Sequence, residues 1–297
     1  MSQSELAQLV AMLRSSGPDL TAPPAQLRAD FTAMVGAAPL SSELHFEPTA
    51  LGGVPALSCM SPGTRVDRCL LYLHGGAFVI GSAQDYRSLF GELGRATGVR
   101  AVAPDYRLAP EHPFPAAIHD VLAAYRALLA EGRPASSIVV AGDSAGGALV
   151  TALLVGARDA GLPMPAGALL ISPWVDLACE GRSMSTKALV DPSITREGLL
   201  IHAALYLGRQ PAETPLASPL YADLAGLPPL LVQVGTAEIL LDDALRLAAR
   251  AAEANVRVSL SVWPDMPHVW HFFGFMLEEG RRAIGEAAEF LRARLGE

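Results

Sequence analysis

The stretch that most constrains the fold is Val139-Val140-Ala141-Gly142-Asp143-Ser144-Ala145-Gly146-Gly147. An apolar, β-branched run stops at Gly142, and a serine follows two residues later. Small residues come next, then Leu149, Val150, Leu153 and Leu154 at helical spacing. The pattern is strand, sharp turn with Ser144 at its apex, helix, in the form G-x-S-x-G. Crowding explains the glycines. A hydroxyl presented on a strained turn needs neighbours without bulk, so that the chain can bend and another group can approach. The helix opening after Ser144 aims its N-terminal N–H groups at any negative charge that develops beside the serine. Taken alone, the motif also admits a glycine-rich turn with a chance serine.

A second run removes much of that ambiguity. In Leu70-Leu71-Tyr72-Leu73-His74-Gly75-Gly76-Ala77-Phe78 a strand ends in His-Gly-Gly, whose small residues leave backbone N–H groups free to face an oxyanion. Together the two motifs resemble the hormone-sensitive-lipase-like (family IV) bacterial carboxylesterases of the α/β-hydrolase superfamily. Asp105 through Ala117, Ser172-Pro173-Trp174 and Met266-Pro267-His268 fit the same family. The resemblance spans roughly residues 45 to 295, and Gly142 to Gly147 is the GDSAGG form of the turn. It implies an α/β-hydrolase fold: a mostly parallel central sheet flanked by helices, with a helical cap.

Composition fits one large α/β domain, since 297 residues that are 51% hydrophobic can bury a substantial core. The formal net charge of -8 argues against nucleic acid and anionic membrane surfaces as partners, because both select basic patches. Cys59, Cys69 and Cys179 lack metal-ligand spacing and read as scattered apolar residues of a reducing compartment. No signal peptide is read in Met1 to Glu5, and no apolar run is long enough for a membrane span. A cytoplasmic protein without metal or cofactor is the expectation.

Along the chain, helical spacing covers residues 4 to 14 and again Leu27 to Val35, and an alternating hairpin covers 43 to 60. Strands then alternate with helices, which points to a parallel sheet with right-handed crossovers. Residues 180 to 220 break the alternation with repeated Gly and Pro and one helical stretch, Thr195 to Tyr206. The expected organisation is an N-terminal cap segment (1–42), a first catalytic part (43–179), a cap insertion (180–220) and a second catalytic part (221–297). The cap assignment follows the resemblance. By analogy with relatives, the strand near 256 to 263 is a possible edge for a homodimer.

A serine hydroxyl needs a base, and the base needs a group that fixes its tautomer. In this superfamily the chain order is Ser, acid, His. The resemblance puts the base at His268, with His271 as rival, and gives His74 the structural task of supporting the oxyanion loop. The acid is expected after the strand ending at Gly235. Glu238 is the first candidate and Asp242 the second, although many family members carry Asp in this loop. Asp143 is read as an anchor for the neighbouring loop. The implied oxyanion donors are the amides of Gly75, Gly76 and Ala145. Trp174 is a candidate for the pocket border and equally for the core.

The reading that follows is a serine carboxylesterase for short- to medium-chain, uncharged esters, with a small-molecule ester as its partner. A lactone hydrolase would use the same triad. A non-catalytic small-molecule receptor on the same fold is the alternative of another class, and the presence of His268 argues against it.

Overall fold

The computed structural model describes residues 3–36 and 38–296. Met1, Ser2, Ala37 and Glu297, which belong to the expected 1–42 and 221–297 segments, lie outside the described residues. The strands are β1 (His45–Leu51), β2 (Val54–Met60), β3 (Arg65–Leu73), β4 (Val99–Pro104), β5 (Ile138–Asp143), β6 (Gly167–Ile171), β7 (Leu230–Gly235) and β8 (Val258–Trp263). Among the described residues they form one eight-stranded sheet in the order β1-β2-β4-β3-β5-β6-β7-β8. β2 runs antiparallel to both β1 and β4, and every pairing from β4 through β8 is parallel. This is the α/β-hydrolase arrangement that the sequence implied.

Two-residue periodicity divides the central strands between two cores. Leu71 and Leu73 of β3, Val140 of β5 and Leu170 of β6 pack on one face. With them pack Val121, Leu149 and Leu247 from α4 (Ala116–Ala130), α5 (Ala145–Asp159) and α8 (Leu241–Glu253). Leu70 and Tyr72, Val139, and Leu169 and Ile171 face the other way. There they meet α3 (Arg87–Thr97) and α9 (Glu278–Arg294) through Phe90, Leu93 and Leu291. Central strands covered on both sides read as nearly unbroken apolar runs, as the sequence shows. β8 closes one edge of the sheet and leaves Leu260 and Val262 about two-fifths exposed, at 39% and 41%.

Because these strands are parallel, their carboxyl ends lie along one rim, where open α/β sheets place ligands. Over that rim lie α1 (Gln3–Ser16) and α2 (Pro24–Gly36). Leu9 and Leu13 of α1 pack with Met266 and Trp270, on either side of His268. Arg28 pins α2 in place. Its guanidinium donates to the carbonyls of Val79 and Ala109 at 2.8 and 2.9 Å and forms a two-pronged pair with Glu111. The ion pair is half-exposed and contributes little by itself, whereas the carbonyl bonds tie α2 to the chain just beyond the His-Gly-Gly turn. The 180–220 segment adds α6 (Ser183–Thr186) and α7 (Arg196–Leu207), the latter capped by the Thr195 hydroxyl accepting from Gly198 N at 3.1 Å.

Helix α5 and β3 approach closely, and a Cβ at Gly146 would overlap the Leu73 and His74 carbonyls. Backbone cannot yield as a flexible side chain can, so Gly146→Ala is expected to destabilise the protein by about 2 kcal/mol or more. Urea denaturation followed by far-UV circular dichroism measures this, and a midpoint equal to that of the parent would contradict it.

Candidate active site

Five of the parallel strands deliver the site. β3 leads into His74-Gly75-Gly76, β5 into Ser144, β6 into Ser172, β7 into Glu238, and β8 into the His268 loop. Ser144 sits at φ 51° and ψ -121°, a conformation unusual for any residue with a side chain. Bonds on both sides impose it: Ser144 N donates to Ile171 O at 2.9 Å, while its carbonyl accepts from Trp174 N at 3.0 Å. The side chain is therefore held out at the start of α5.

Glu238 is fully buried, and both carboxylate oxygens are committed. Oε1 accepts from Ser172 Oγ at 2.8 Å and from Gly235 N at 2.6 Å; Oε2 meets His268 Nδ1 at 2.9 Å. The ring therefore carries its proton on Nδ1 and leaves Nε2 as the free base. Burial pushes the His268 imidazole down, but the hydrogen bond and charge of Glu238, with the charges of Asp191 and Asp143, outweigh it and raise the ring above its usual value.

The second-ranked acid stands elsewhere. Asp242 accepts from Ser183 N at 3.1 Å and lies in the first turn of α8, a capping arrangement. The rival base His271 is buried beneath the site, where Nε2 meets Gln233 Oε1 at 2.9 Å. Gln233 spends its amide donors on Ala283 O and Glu286, so His271 must donate from Nε2. Burial pushes this imidazole down to about 3 and keeps it neutral.

Asp143 anchors the loop beside it. Oδ1 accepts from Tyr72 Oη at 2.6 Å and Gly75 N at 3.0 Å, and Oδ2 from Tyr86 Oη at 3.3 Å. Burial pushes its carboxyl up to about 6 against these bonds. The arrangement corrects one expectation, because the Gly75 amide is already spent on Asp143 and is not available to an oxyanion. The amides of Gly76 and Ala77 meet no acceptor among the described residues, and both residues line the cavity in front of Ser144. Ala77 and Phe78 adopt positive φ, 51° and 63°, which turns this loop over. Small side chains in the pattern mark where backbone is exposed, but not where each N–H points. Ala145 opens α5, whose first-turn N–H groups lack intrahelical acceptors.

His74 supports the loop from below. Nδ1 contacts Gly75 O at 2.7 Å, and Tyr106 stacks on the ring at 4.2 Å while donating to the His74 carbonyl at 2.7 Å. Burial lowers its imidazole. Trp174 is a second correction: it is fully buried, donates from Nε1 to Asp176 O at 3.1 Å and packs on Phe78, and it does not line the cavity.

That cavity holds about 200 Å³ and brings Ser144 and His268 together. Met12, Leu13, Phe31 and Met34 form one wall, Ile194 and Leu199 a second, and Phe272 and Phe273 a third. No lysine or arginine lines it among the described residues, nor is there a group of three or more His, Cys, Asp or Glu side chains placed to hold a metal ion. No helix among them is long and apolar enough to cross a membrane.

A family model for the alpha/beta hydrolase fold matches residues 70–272. An acetyl-hydrolase of Streptomyces hygroscopicus is 49% identical over 236 residues, covering 80% of this chain and 79% of its own. An esterase of Acinetobacter venetianus is 35% identical, over 85% of this chain and 83% of its own. The crystal structure of an esterase from the bacterial hormone-sensitive lipase family superposes with a TM-score of 0.96 at 47% identity, covering 99% of each chain.

Two outcomes are expected. Since a raised His268 must lose its extra proton before it can accept another, the acid limb of kcat/KM should have its midpoint above the ordinary imidazole value of about 6.5. A pH–rate profile with the limb well below that value would contradict the geometry. Glu238→Gln should lower kcat by about 10²–10⁴, whereas Asp242→Asn should change it by no more than about threefold; steady-state kinetics of the two variants compares them.

Proposed function

Because the chain belongs to the α/β-hydrolase fold family and is a carboxylic ester hydrolase of the hormone-sensitive-lipase type, we propose that it is a serine esterase for short- to medium-chain, uncharged carboxylic esters. The observation that carries this reading is the buried Glu238 carboxylate 2.9 Å from His268, whose ring opens onto the same apolar cavity as Ser144.

Ser144 Oγ attacks the ester carbonyl carbon while His268 Nε2 takes its proton. Glu238 holds the ring and balances the imidazolium. The carbonyl oxygen becomes an oxyanion that accepts from the amides of Gly76, Ala77 and Ala145. Each such donor is worth about 10²–10³ in turnover. As the tetrahedral intermediate collapses, His268 protonates the departing alcohol and the acyl group stays on Ser144. Water, deprotonated by His268, then attacks the acyl carbonyl; the acid leaves and Ser144 recovers its proton.

The substrate class follows from the walls. Methionine, leucine and phenylalanine side chains favour apolar acyl or alcohol groups. A carboxylate or phosphate on the substrate would enter without a cationic partner, which is costly. We assign the cap to α1 and α2 with the 180–220 segment, because both pieces contribute walls over Ser144.

Hydrolysis of p-nitrophenyl esters from C2 to C12, beside a panel of lactones, tests the reading. Turnover should peak among the shorter esters and vanish in Ser144→Ala, which should melt as the parent does. Activity retained by that variant would overturn the nucleophile, and a preference for lactones would change the substrate class.

A further inference from the structure

One buried carboxylate has no step in this reaction, yet it is bonded to the residue that follows Glu238. Asp191 lies between α6 and α7 and is 9% exposed. Oδ1 accepts from Ser193 N at 2.9 Å and Ile194 N at 3.1 Å, and Oδ2 accepts from Ile239 N at 2.9 Å. Ser193 and Ile194 line the cavity with Ser144 and His268. Ile239 directly follows Glu238. One side chain thus joins the cavity wall to the loop of the acid, across 48 residues of sequence.

A local turn would need only the first two bonds. The third crosses to another element, and it comes with a burial penalty. Asp191 makes no ion pair among the described residues, and an uncompensated buried carboxylate is unfavourable. Three amides offset part of that penalty. The remaining compensation is the positive charge that His268 carries whenever its ring is protonated.

We propose that Asp191 is a positioning residue of the catalytic centre, clamping the 193–194 wall onto the Glu238 loop and adding its negative charge to that of Glu238 in support of the imidazolium that forms on His268. The proposal rests on His268 being the base. The charges of three carboxylates act on that ring: Glu238 from the loop after β7, Asp191 from the segment before α7, and Asp143 from the end of β5. His271, on the ring's own loop, is neutral. Burial pushes the Asp191 carboxyl up to about 6, and His268 acts in the opposite direction. A charge that stabilises the imidazolium more than the neutral ring assists the step in which the proton moves.

Asp191→Asn keeps the shape but removes the charge and one set of acceptors. On p-nitrophenyl butyrate, kcat is expected to fall about tenfold with KM changed less than about threefold. The acid limb of kcat/KM should move to lower pH by about half a unit, since the imidazolium loses a stabilising charge. A limb that stays in place overturns the proposal. Should the variant not fold, carboxyl-¹³C NMR of aspartate-labelled protein serves instead, comparing the parent with His268→Ala. Loss of the cation should raise the Asp191 midpoint, and an unchanged midpoint overturns the proposal. This titration needs no turnover, so it fails or succeeds separately from the ester assay and its Ser144→Ala control.

Discussion

The structure around the rim depends on one buried carboxylate, both of whose oxygens are committed. Glu238 joins three strand ends: Ser172 after β6, Gly235 closing β7, and His268 beyond β8. A carboxylate in so dry a place is tolerable only when its hydrogen bonds are complete. Each bond is thereby a constraint on the others. Ser172 sits at positive φ, 44°, to present its hydroxyl, and that same hydroxyl accepts from Val269 N at 3.3 Å. The loop bearing His268 is held at both ends of one hydrogen-bonded chain.

A similar logic governs the other side of Ser144. Asp143 draws Tyr72, Tyr86 and the Gly75 amide onto one carboxylate, so the turn holding Ser144 and the His-Gly-Gly turn share a single anchor. The glycines permit this closeness: a Cβ at Gly75 would overlap Asp143 Oδ2. Two aspartates and one glutamate, each buried and each accepting from at least one backbone amide, hold three loops that the parallel sheet merely brings near one another.

Much of this was legible in the sequence because it is local. The turn at Ser144 declares itself through residues 139 to 154, and the alternation of apolar runs with amphipathic helices is enough to lay out the sheet. The resemblance placed His268 and Glu238 in the loops after β8 and β7, and the structure pairs them at 2.9 Å, although glutamate departs from the commoner aspartate. What was not legible depends on direction or on distance. The small residues after His74 mark where backbone is exposed, yet not that the Gly75 N–H turns toward Asp143 and Ala77 toward the cavity. Trp174 follows a strand end, and nothing in one sequence says on which side of it the pocket lies. Asp191 belongs to no motif, and its partner at Ile239 is 48 residues away. The pinning of α2 by Arg28 to the Val79 and Ala109 carbonyls is equally silent in the sequence.

The walls of the cavity and its floor come from different parts of the chain. The floor is the sheet rim, where Asp143, Ser172, Glu238 and His268 are held by buried polar bonds. The walls from α1, α2 and α7 are apolar side chains that owe their places to packing and a few anchors such as Arg28. Substitution of Met12, Met34 or Leu199 can therefore reshape what is admitted while the reacting geometry is inherited intact. Selectivity and chemistry are separable traits in this molecule, free to diverge at different rates among its descendants.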